Sequence, residues 1–152
     1  MHEIGQLVGY PIVALEGADR DIHVFLRRLE EGLMAVLSEL GLTGMRSEGR
    51  TGVWLEDPPR KIVAIGVRCR RWVTSHGFAF NVMNDLEGFR YIVPCGIANA
   101  GVTSLVRELE PAELPAWDDL CDRVHRSIAT ALGRELLPVR GAAGLELASR
   151  GR

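Results

Sequence analysis

Apolar residues between positions 19 and 40 recur every three or four residues, the spacing of one face of an α-helix. They are Ile22, Phe25, Leu26, Leu29, Leu33, Val36, Leu37 and Leu40. Asp19 is a typical helix start and Gly41 a typical stop. A second stripe follows Pro111 and ends before Gly133, and it consists of Leu114, Trp117, Leu120, Cys121, Val124, Ile128, Ala131 and Leu132. The pattern predicts two main amphipathic helices, each packed on a sheet.

Runs rich in β-branched and aromatic residues predict the strands of that sheet. The predicted strands are Leu7–Leu15, Thr51–Leu55, Lys61–Cys69, Val73–Met83, Tyr91–Val93, Val102–Leu105 and Leu136–Val139, with one helical turn at Asp85–Phe89. Asp57-Pro58-Pro59 is a turn that joins two of the strands into a hairpin. In the Val73–Met83 strand, Phe78, Phe80 and Val82 alternate with a face of small residues, Gly77, Ala79 and Asn81. The sum is an α/β domain with a mixed, mostly antiparallel sheet and two main helices.

Composition fits one domain of 152 residues, 47% hydrophobic, with a formal net charge of −2. We expect this domain over residues 1–140, followed by a flexible tail at 141–152. No apolar run approaches the about 18 residues of a membrane span, and the first residues do not resemble a secretory signal, so we expect a cytoplasmic protein without a membrane partner. A balanced charge also disfavours non-specific binding to nucleic acid.

Three cysteines without a Cys-x-x-Cys pair predict free thiols, neither a disulfide framework nor a zinc site. Cys121 lies on the apolar stripe of the second helix, and Cys69 alternates with Val67 along a strand, so core packing is the simpler interpretation of both. Cys95 differs, because Pro94 ends a strand and Gly96 permits a sharp turn beside it. The sequence therefore predicts an accessible thiol at Cys95.

Candidate chemistry centres on Cys95 and on Lys61, the one lysine beside 17 arginines. A nearby ammonium favours the thiolate and lowers a thiol pKa, and lysine, unlike arginine, can release its proton. A single surface lysine also needs no special reason, and both interpretations stay open. His76 either lines a pocket or makes a structural hydrogen bond. Phosphate-binding loops, dinucleotide fingerprints and paired metal-ligating histidines are absent, so no cofactor and no metal are expected.

Five stretches make the chain resemble the lipoyl(octanoyl) transferase family. They are Gly-Gln-Leu-Val-Gly-Tyr-Pro-Ile at 5–12, Arg-Thr-Gly-Val-Trp at 50–54, Lys-Ile-Val-Ala-Ile-Gly-Val-Arg at 61–68, Arg-Trp-Val-Thr-Ser-His-Gly-Phe-Ala-Phe-Asn-Val at 71–82 and Ile-Val-Pro-Cys-Gly-Ile at 92–97. The resemblance implies a biotin/lipoate protein ligase-like fold. It also implies transfer of octanoyl, or lipoyl, from acyl carrier protein to lysines of the lipoyl domains of 2-oxoacid dehydrogenases and of glycine cleavage H protein.

Site residues carried over from the resemblance are Cys95 as acyl-thioester nucleophile and Lys61 as the group that lowers its pKa. The implied substrate-binding residues are Ala64, Ile65, Gly66, Gly77, Phe78 and Ala79, with His76 and His2 beside them. Small side chains on a strand face leave room for an aliphatic chain, which agrees with this assignment.

The front of the chain departs from the family pattern. Family members carry Arg-Gly-Gly and Thr-Tyr-His-Gly-Pro segments before the Gly-Gln-Leu-Val-Gly-Tyr-Pro stretch, whereas here Met1-His2-Glu3-Ile4 stands there, with His2 at the place of the family histidine. We therefore expect the catalytic domain to lack the family's N-terminal portion. Two alternatives are a truncated, inactive fragment that only binds acyl carrier protein or a lipoyl domain, and an ATP-dependent lipoate or biotin ligase.

Overall fold

The computed structural model describes residues 2–86 and 101–135 of the chain, in which the strands form one sheet. The strands are β1 (Gln6–Gly9), β2 (Met45–Ser47), β3 (Arg50–Leu55), β4 (Arg60–Arg70), β5 (Val73–Asn81) and β6 (Gly101–Val102). Their order is β1-β5-β4-β3-β2, and neighbours in this order pair antiparallel, while β6 pairs in parallel with β4. The predicted mixed, mostly antiparallel sheet is confirmed.

Two long helices, α1 (Ile22–Glu39) and a later one at Trp117–Leu132, accompany the sheet, with a short α2 (Leu105–Glu108) between them; the later one is α3. The carboxylate of Asp21 caps α1 by accepting hydrogen bonds from the His23 and Val24 amides, so the helix begins later than the predicted Asp19, which lies in a 3-10 turn. Among the described residues, no helix is long and apolar enough to cross a membrane.

Helix α1 packs on one face of the sheet, α3 packs against α1, and the apolar sides of both helices contribute to the hydrophobic core. Its buried side chains include Leu29, Leu33 and Val36 of α1, Leu120, Val124 and Ile128 of α3, and Val53, Val63 and Phe80 of the sheet. Gly32 permits a close crossing of the helices, because a Cβ there would lie only 3.1 Å from the Ser127 carbonyl oxygen. The Gly32 carbonyl also accepts a 2.8 Å hydrogen bond from the Ser127 hydroxyl. The predicted apolar stripes are confirmed except at Trp117, which is 39% exposed at the start of α3, and at Leu26, which is partly buried but not part of the core cluster.

Strand boundaries differ from the prediction at several points. The predicted strand Leu7–Leu15 is interrupted after Gly9, since Pro11 has no amide to donate, and only Ala14 pairs again, with Val73. The short edge strand β2 and helix α2 were not predicted. Asp85 and Leu86 are not helical, and the rest of the predicted turn, the strands Tyr91–Val93 and Leu136–Val139, and the tail lie outside the described residues.

A buried carboxylate joins α1 to the β2–β3 side of the sheet. Glu30 is only 1% exposed, and its Oε2 accepts hydrogen bonds from Arg27 Nη1 at 2.7 Å and from Arg46 Nε at 3.1 Å. Its Oε1 accepts the amide proton of Gly52 in β3 at 3.1 Å. Each carboxylate oxygen thus has a donor, which offsets the cost of burying the charge.

We expect Glu30→Gln to lower the free energy of unfolding by about 1–3 kcal/mol, because the buried amide loses the charge-assisted bonds to both arginines. Urea unfolding measures the change. Glu39→Gln is the matched control, since Glu39 is half exposed and its 3.5 Å contact with Arg123 belongs to a class worth at most about 1 kcal/mol. Equal losses in the two variants would contradict the role assigned to Glu30.

Candidate functional site

A β-bulge at Ile62 determines which face of the sheet carries Lys61. Val53 pairs with Val63, but the next residue of β3, Trp54, pairs with Lys61, so Ile62 is the extra residue of β4. Ile62 and Val63 are both fully buried in the core. Because the bulge shifts the alternation, Lys61 lies on the opposite face, together with Ala64 and Gly66.

The Lys61 side chain packs against β3, and its backbone pairs with β6. Its Nζ lies 4.7 Å from the ring centroid of Trp54, a cation–π arrangement. A Cβ on Gly52 would lie 3.5 Å from Lys61 Cε, so the lysine stem passes over a glycine. The Lys61 carbonyl accepts a 2.9 Å hydrogen bond from the Thr103 amide. These contacts hold the ammonium on the face away from the helices.

An open cavity of about 190 Å³ lies on this same face. Its lining residues come from the segment before β1, from the β1 edge, from β4 and from β5, and they are His2, Tyr10, Gly66, His76, Gly77, Phe78 and Ala79. Gly66 pairs with Gly77, and Ala64 pairs with Ala79. The cavity exists because no side chain beyond a methyl group projects from this part of the strands.

Six of the eight substrate-binding residues expected from the sequence therefore surround one cavity. Ala64 is exposed on the same face but is not among the lining residues. Ile65 packs against the core on the helix side, because alternation along β4 points it away from Gly66. Tyr10 was missed, since its aromatic ring was assigned to a continuous first strand; its place between Gly9 and Pro11 was the available signal of an interruption.

His2, Tyr10 and His76 form one wall of the cavity. The Tyr10 hydroxyl and His2 Nε2 are 2.9 Å apart, and the Tyr10 ring meets both imidazoles edge to face, with centroids 6.1 Å from His2 and 6.4 Å from His76. His76 pairs with Val67, whose side chain packs on the core, yet His76 is exposed. Its φ of 63° takes the side chain out of the strand alternation and towards the cavity.

Buried amides connect this face of the sheet to β6. Asn81 at the end of β5 accepts a 2.8 Å bond from the Gln6 side chain and donates a 3.0 Å bond to the Thr103 carbonyl. Asn84 donates to the same Asn81 oxygen at 3.2 Å. The network holds β1, β5 and the residues after β6 in a fixed relation beside Lys61.

Arg60 and Glu108 join the start of β4 to α2. Two guanidinium nitrogens of Arg60 bond the two carboxylate oxygens at 2.7 and 2.6 Å, and the Thr103 hydroxyl donates to Oε1 at 2.5 Å. The hydrogen bond from Arg60 holds the pKa of Glu108 below its usual value, and that from Thr103 adds to the effect. The same pair raises the pKa of Arg60.

A depressed carboxyl pKa contributes stability above the unfolded pKa and loses it as the pH falls through the folded pKa. We therefore expect wild type to be more stable than Glu108→Gln at pH 7, and the difference to shrink below about pH 4.3, the ordinary glutamate value. Urea unfolding between pH 3 and 7 tests this. Glu48→Gln, at an exposed position, is the control, and a pH-independent difference for Glu108→Gln would contradict the assignment.

The two glycines that face each other across the cavity floor differ in the room around them. A Cβ on Gly66 would meet no atom within 4 Å, whereas a Cβ on Gly77 would lie 2.0 Å from the Gly9 carbonyl oxygen. We expect Gly66→Ala to leave the urea midpoint nearly unchanged and Gly77→Ala to cost about 1–3 kcal/mol by forcing β1 away. Similar losses in both variants would show that the cavity floor is equally tight at the two positions.

The remaining predicted residues are placed as follows. Cys69 and Cys121 pack, partly buried, against the core. Cys95 lies outside the described residues. Within residues 2–86 and 101–135, no group of three or more His, Cys, Asp and Glu side chains is arranged to hold a metal ion.

Comparison with known proteins gives a consistent picture. The family model of the lipoyl protein ligase A/B catalytic domain matches residues 1–129. The octanoyltransferase of Thermobifida fusca is 48% identical over 138 residues, which are 87% of this chain and 57% of that protein. The octanoyltransferase of Flavobacterium johnsoniae is 57% identical over 111 residues, 71% of this chain and 48% of that protein. The chain spans about half the length of the curated relatives it matches.

Solved structures support the fold. A bipartite lipoate protein ligase of Thermoplasma acidophilum, described with its E2 lipoyl domain, has a TM-score of 0.65 at 19% identity, covering 98% of this chain and 60% of that one. A lipoate-protein ligase A bound with ATP has a TM-score of 0.63 at 16% identity, covering 95% of this chain and 58% of that one. The ligase-like fold predicted from the sequence is thereby confirmed.

Proposed function

Because the chain belongs to the lipoyl protein ligase A/B catalytic domain family, we propose that it is the acyl-transferring part of an octanoyltransferase of lipoate biosynthesis. The observation that carries the proposal is the shared sheet face of Lys61 and the cavity of small residues, in a chain whose curated relatives are octanoyltransferases. The donor is octanoyl-acyl carrier protein. The acceptors are the lysines of lipoyl domains in 2-oxoacid dehydrogenases and in glycine cleavage H protein.

The proposed reaction has two balanced steps. The Cys95 thiolate attacks the donor carbonyl, a new thioester bond forms, and the carrier leaves as its thiolate. The neutral acceptor amine then attacks the Cys95 thioester, an amide bond forms, the Cys95 sulfur leaves as its thiolate, and the proton lost by the amine goes through solvent to the released carrier thiolate. Thioester exchange is nearly isoenergetic and amide formation from a thioester is downhill, so no ATP is needed. Lys61 is the group proposed to favour the Cys95 thiolate and to exchange protons with the reacting atoms.

The cavity is the proposed site of the octanoyl chain. Gly66, Gly77 and Ala79 provide an apolar floor without branched side chains, and Phe78 between them completes the lining. Tyr10 and the two histidines close one side. An aliphatic chain that enters such a space leaves water and gains about 0.8 kcal/mol for each buried methylene group. We place the reaction in the cytoplasm, where a free thiol such as that of Cys69 remains reduced.

Incubation of the protein with octanoyl-acyl carrier protein is expected to add one octanoyl group, because the thiolate attacks the thioester. Intact-mass spectrometry detects the adduct, and hydroxylamine removes it. Cys95→Ser is expected to abolish the hydroxylamine-sensitive adduct, whereas the matched variants Cys69→Ser and Cys121→Ser keep it. Lys61→Met is expected to form it at least about 100-fold more slowly, the lower range for loss of a proton-transfer group.

Three outcomes would overturn the proposal. A hydroxylamine-sensitive adduct that persists in Cys95→Ser would place the acyl group elsewhere. Acyl transfer to a lipoyl domain that requires ATP and free octanoate would assign the chain to the ligase reaction instead. Binding of either protein without any adduct would support a fragment that binds and does not react.

A further inference from the structure

The turn between β4 and β5 presents an exposed group of basic and aromatic side chains, here called the hairpin tip: Arg68, Arg70, Arg71 and Trp72. All four are exposed, and Trp72 is 43% accessible. Arg20 approaches the Trp72 ring from the α1 side, with its guanidinium carbon 5.7 Å from the ring centroid. None of the hairpin-tip arginines forms an ion pair with a described carboxylate. Within residues 2–86 and 101–135, these arginines therefore form a basic patch without paired carboxylates, in a chain of net charge −2.

The backbone of the hairpin tip is strained in a way that presents these side chains. Arg70 pairs with Val73, so Arg71 and Trp72 are the two central residues of the hairpin turn. Both adopt left-handed conformations, with φ of 52° and 63°, as in a type I′ turn. Such turns strongly favour Asn-Gly, and large side chains are disfavoured at both positions. A strained, exposed Arg-Trp pair points to a use outside the fold.

The hairpin tip adjoins the cavity. Arg68 follows Gly66 on the same face of β4, and Arg68 pairs with Ser75, next to the lining residue His76. Lys61 lies at the other end of this strand face, about 23 Å from Arg68 at the usual rise of a strand. The cavity therefore lies between the proposed reaction centre and the hairpin tip.

We propose that the hairpin tip docks an acidic protein, and that this protein is the acyl donor. The inference rests on the proposed function and names the surface that it uses. Arginines pair well with carboxylates and phosphates, and an exposed Trp adds apolar contact area. A donor carries its acyl group on a long arm and can dock far from Lys61. An acceptor lysine is attached to its protein by a short side chain, so an acceptor has to bring that lysine close to Lys61, at the far end of the strand face from the hairpin tip.

The test compares two donors with the triple variant Arg68→Ser/Arg70→Ser/Arg71→Ser. With octanoyl-acyl carrier protein, we expect KM to rise about tenfold and kcat to remain unchanged, because the exposed charge pairs between the hairpin-tip arginines and the donor protein are lost. With octanoyl-N-acetylcysteamine, a small uncharged thioester, we expect KM and kcat of the triple variant to equal those of the wild type. Arg126→Ser, an exposed arginine of α3 on the helix side, is the matched control and changes neither. Added salt is expected to raise KM for the wild type and much less for the triple variant.

A second variant separates docking from folding. Arg71→Asn/Trp72→Gly supplies the preferred type I′ residues and is expected to raise the melting temperature while it raises KM for the carrier-protein donor. A purely structural role of the turn predicts no change in KM. An unchanged KM in both variants, an equal loss with the small thioester, or a rise only in the KM of a lipoyl domain would overturn the inference.

Direct binding keeps the two proposals distinguishable. Fluorescence anisotropy of labelled acyl carrier protein measures docking without turnover, and the triple variant is expected to weaken it about tenfold, like KM. Lack of acyl transfer from both donors together with patch-dependent binding would contradict the proposed function and support the docking surface. Binding that does not depend on the hairpin tip would contradict the docking surface alone.

Discussion

The β-bulge at Ile62 is the constraint on which the candidate site depends, because it separates two faces that must be filled differently. The helix side of β4 faces the core and needs apolar side chains. The bulge lets two consecutive residues, Ile62 and Val63, point to that side, and both are fully buried. In a regular strand Lys61 would share the face of Val63 and place an ammonium in the core, at a high desolvation cost. The extra residue instead turns Lys61 to the face of Gly66. The same bulge therefore determines both the packing of the core and the face on which Lys61 lies.

The opposite face of the sheet keeps a cavity because β1 and β5, which border it, are held in place by close backbone contacts and by hydrogen bonds of buried amides. A Cβ on Gly9 would lie 2.3 Å from the Phe78 ring, and one on Gly77 would meet the Gly9 carbonyl, so β1 and β5 approach as closely as glycine allows. Asn81 fixes the same strands at their other end through Gln6 and Thr103. Because these contacts fix β1 and β5 at both ends, the strands cannot move in to fill the cavity above the small residues of β4 and β5.

The sequence predicted best what depends on local periodicity and chemistry. The α1 and α3 stripes follow from burial against one layer, and the small face of β5 could be identified from Gly77 and Ala79. Boundaries that depend on partners were harder to predict: Pro11 interrupts the first strand only because that strand must pair with β5. The bulge at Ile62 leaves no mark in a β-branched run, so the faces of Lys61 and Ile65 could not both be assigned. The bonds from Asn81 to Gln6 and Thr103 join distant segments, which no spacing reveals.

Two of the arginines of this chain have a clear physical role in the fold. Arg46 and Arg60 hold the carboxylates of Glu30 and Glu108 with planar, permanently charged groups, a task that suits a guanidinium. The adjacent Lys61 meets different conditions, since its stem crosses Gly52 and its ammonium lies over Trp54. An arginine there would add a rigid fork and keep its proton at any accessible pH. Two neighbouring residues of one strand thus have different roles: Arg60 anchors α2, and Lys61 is the residue that we propose to exchange a proton.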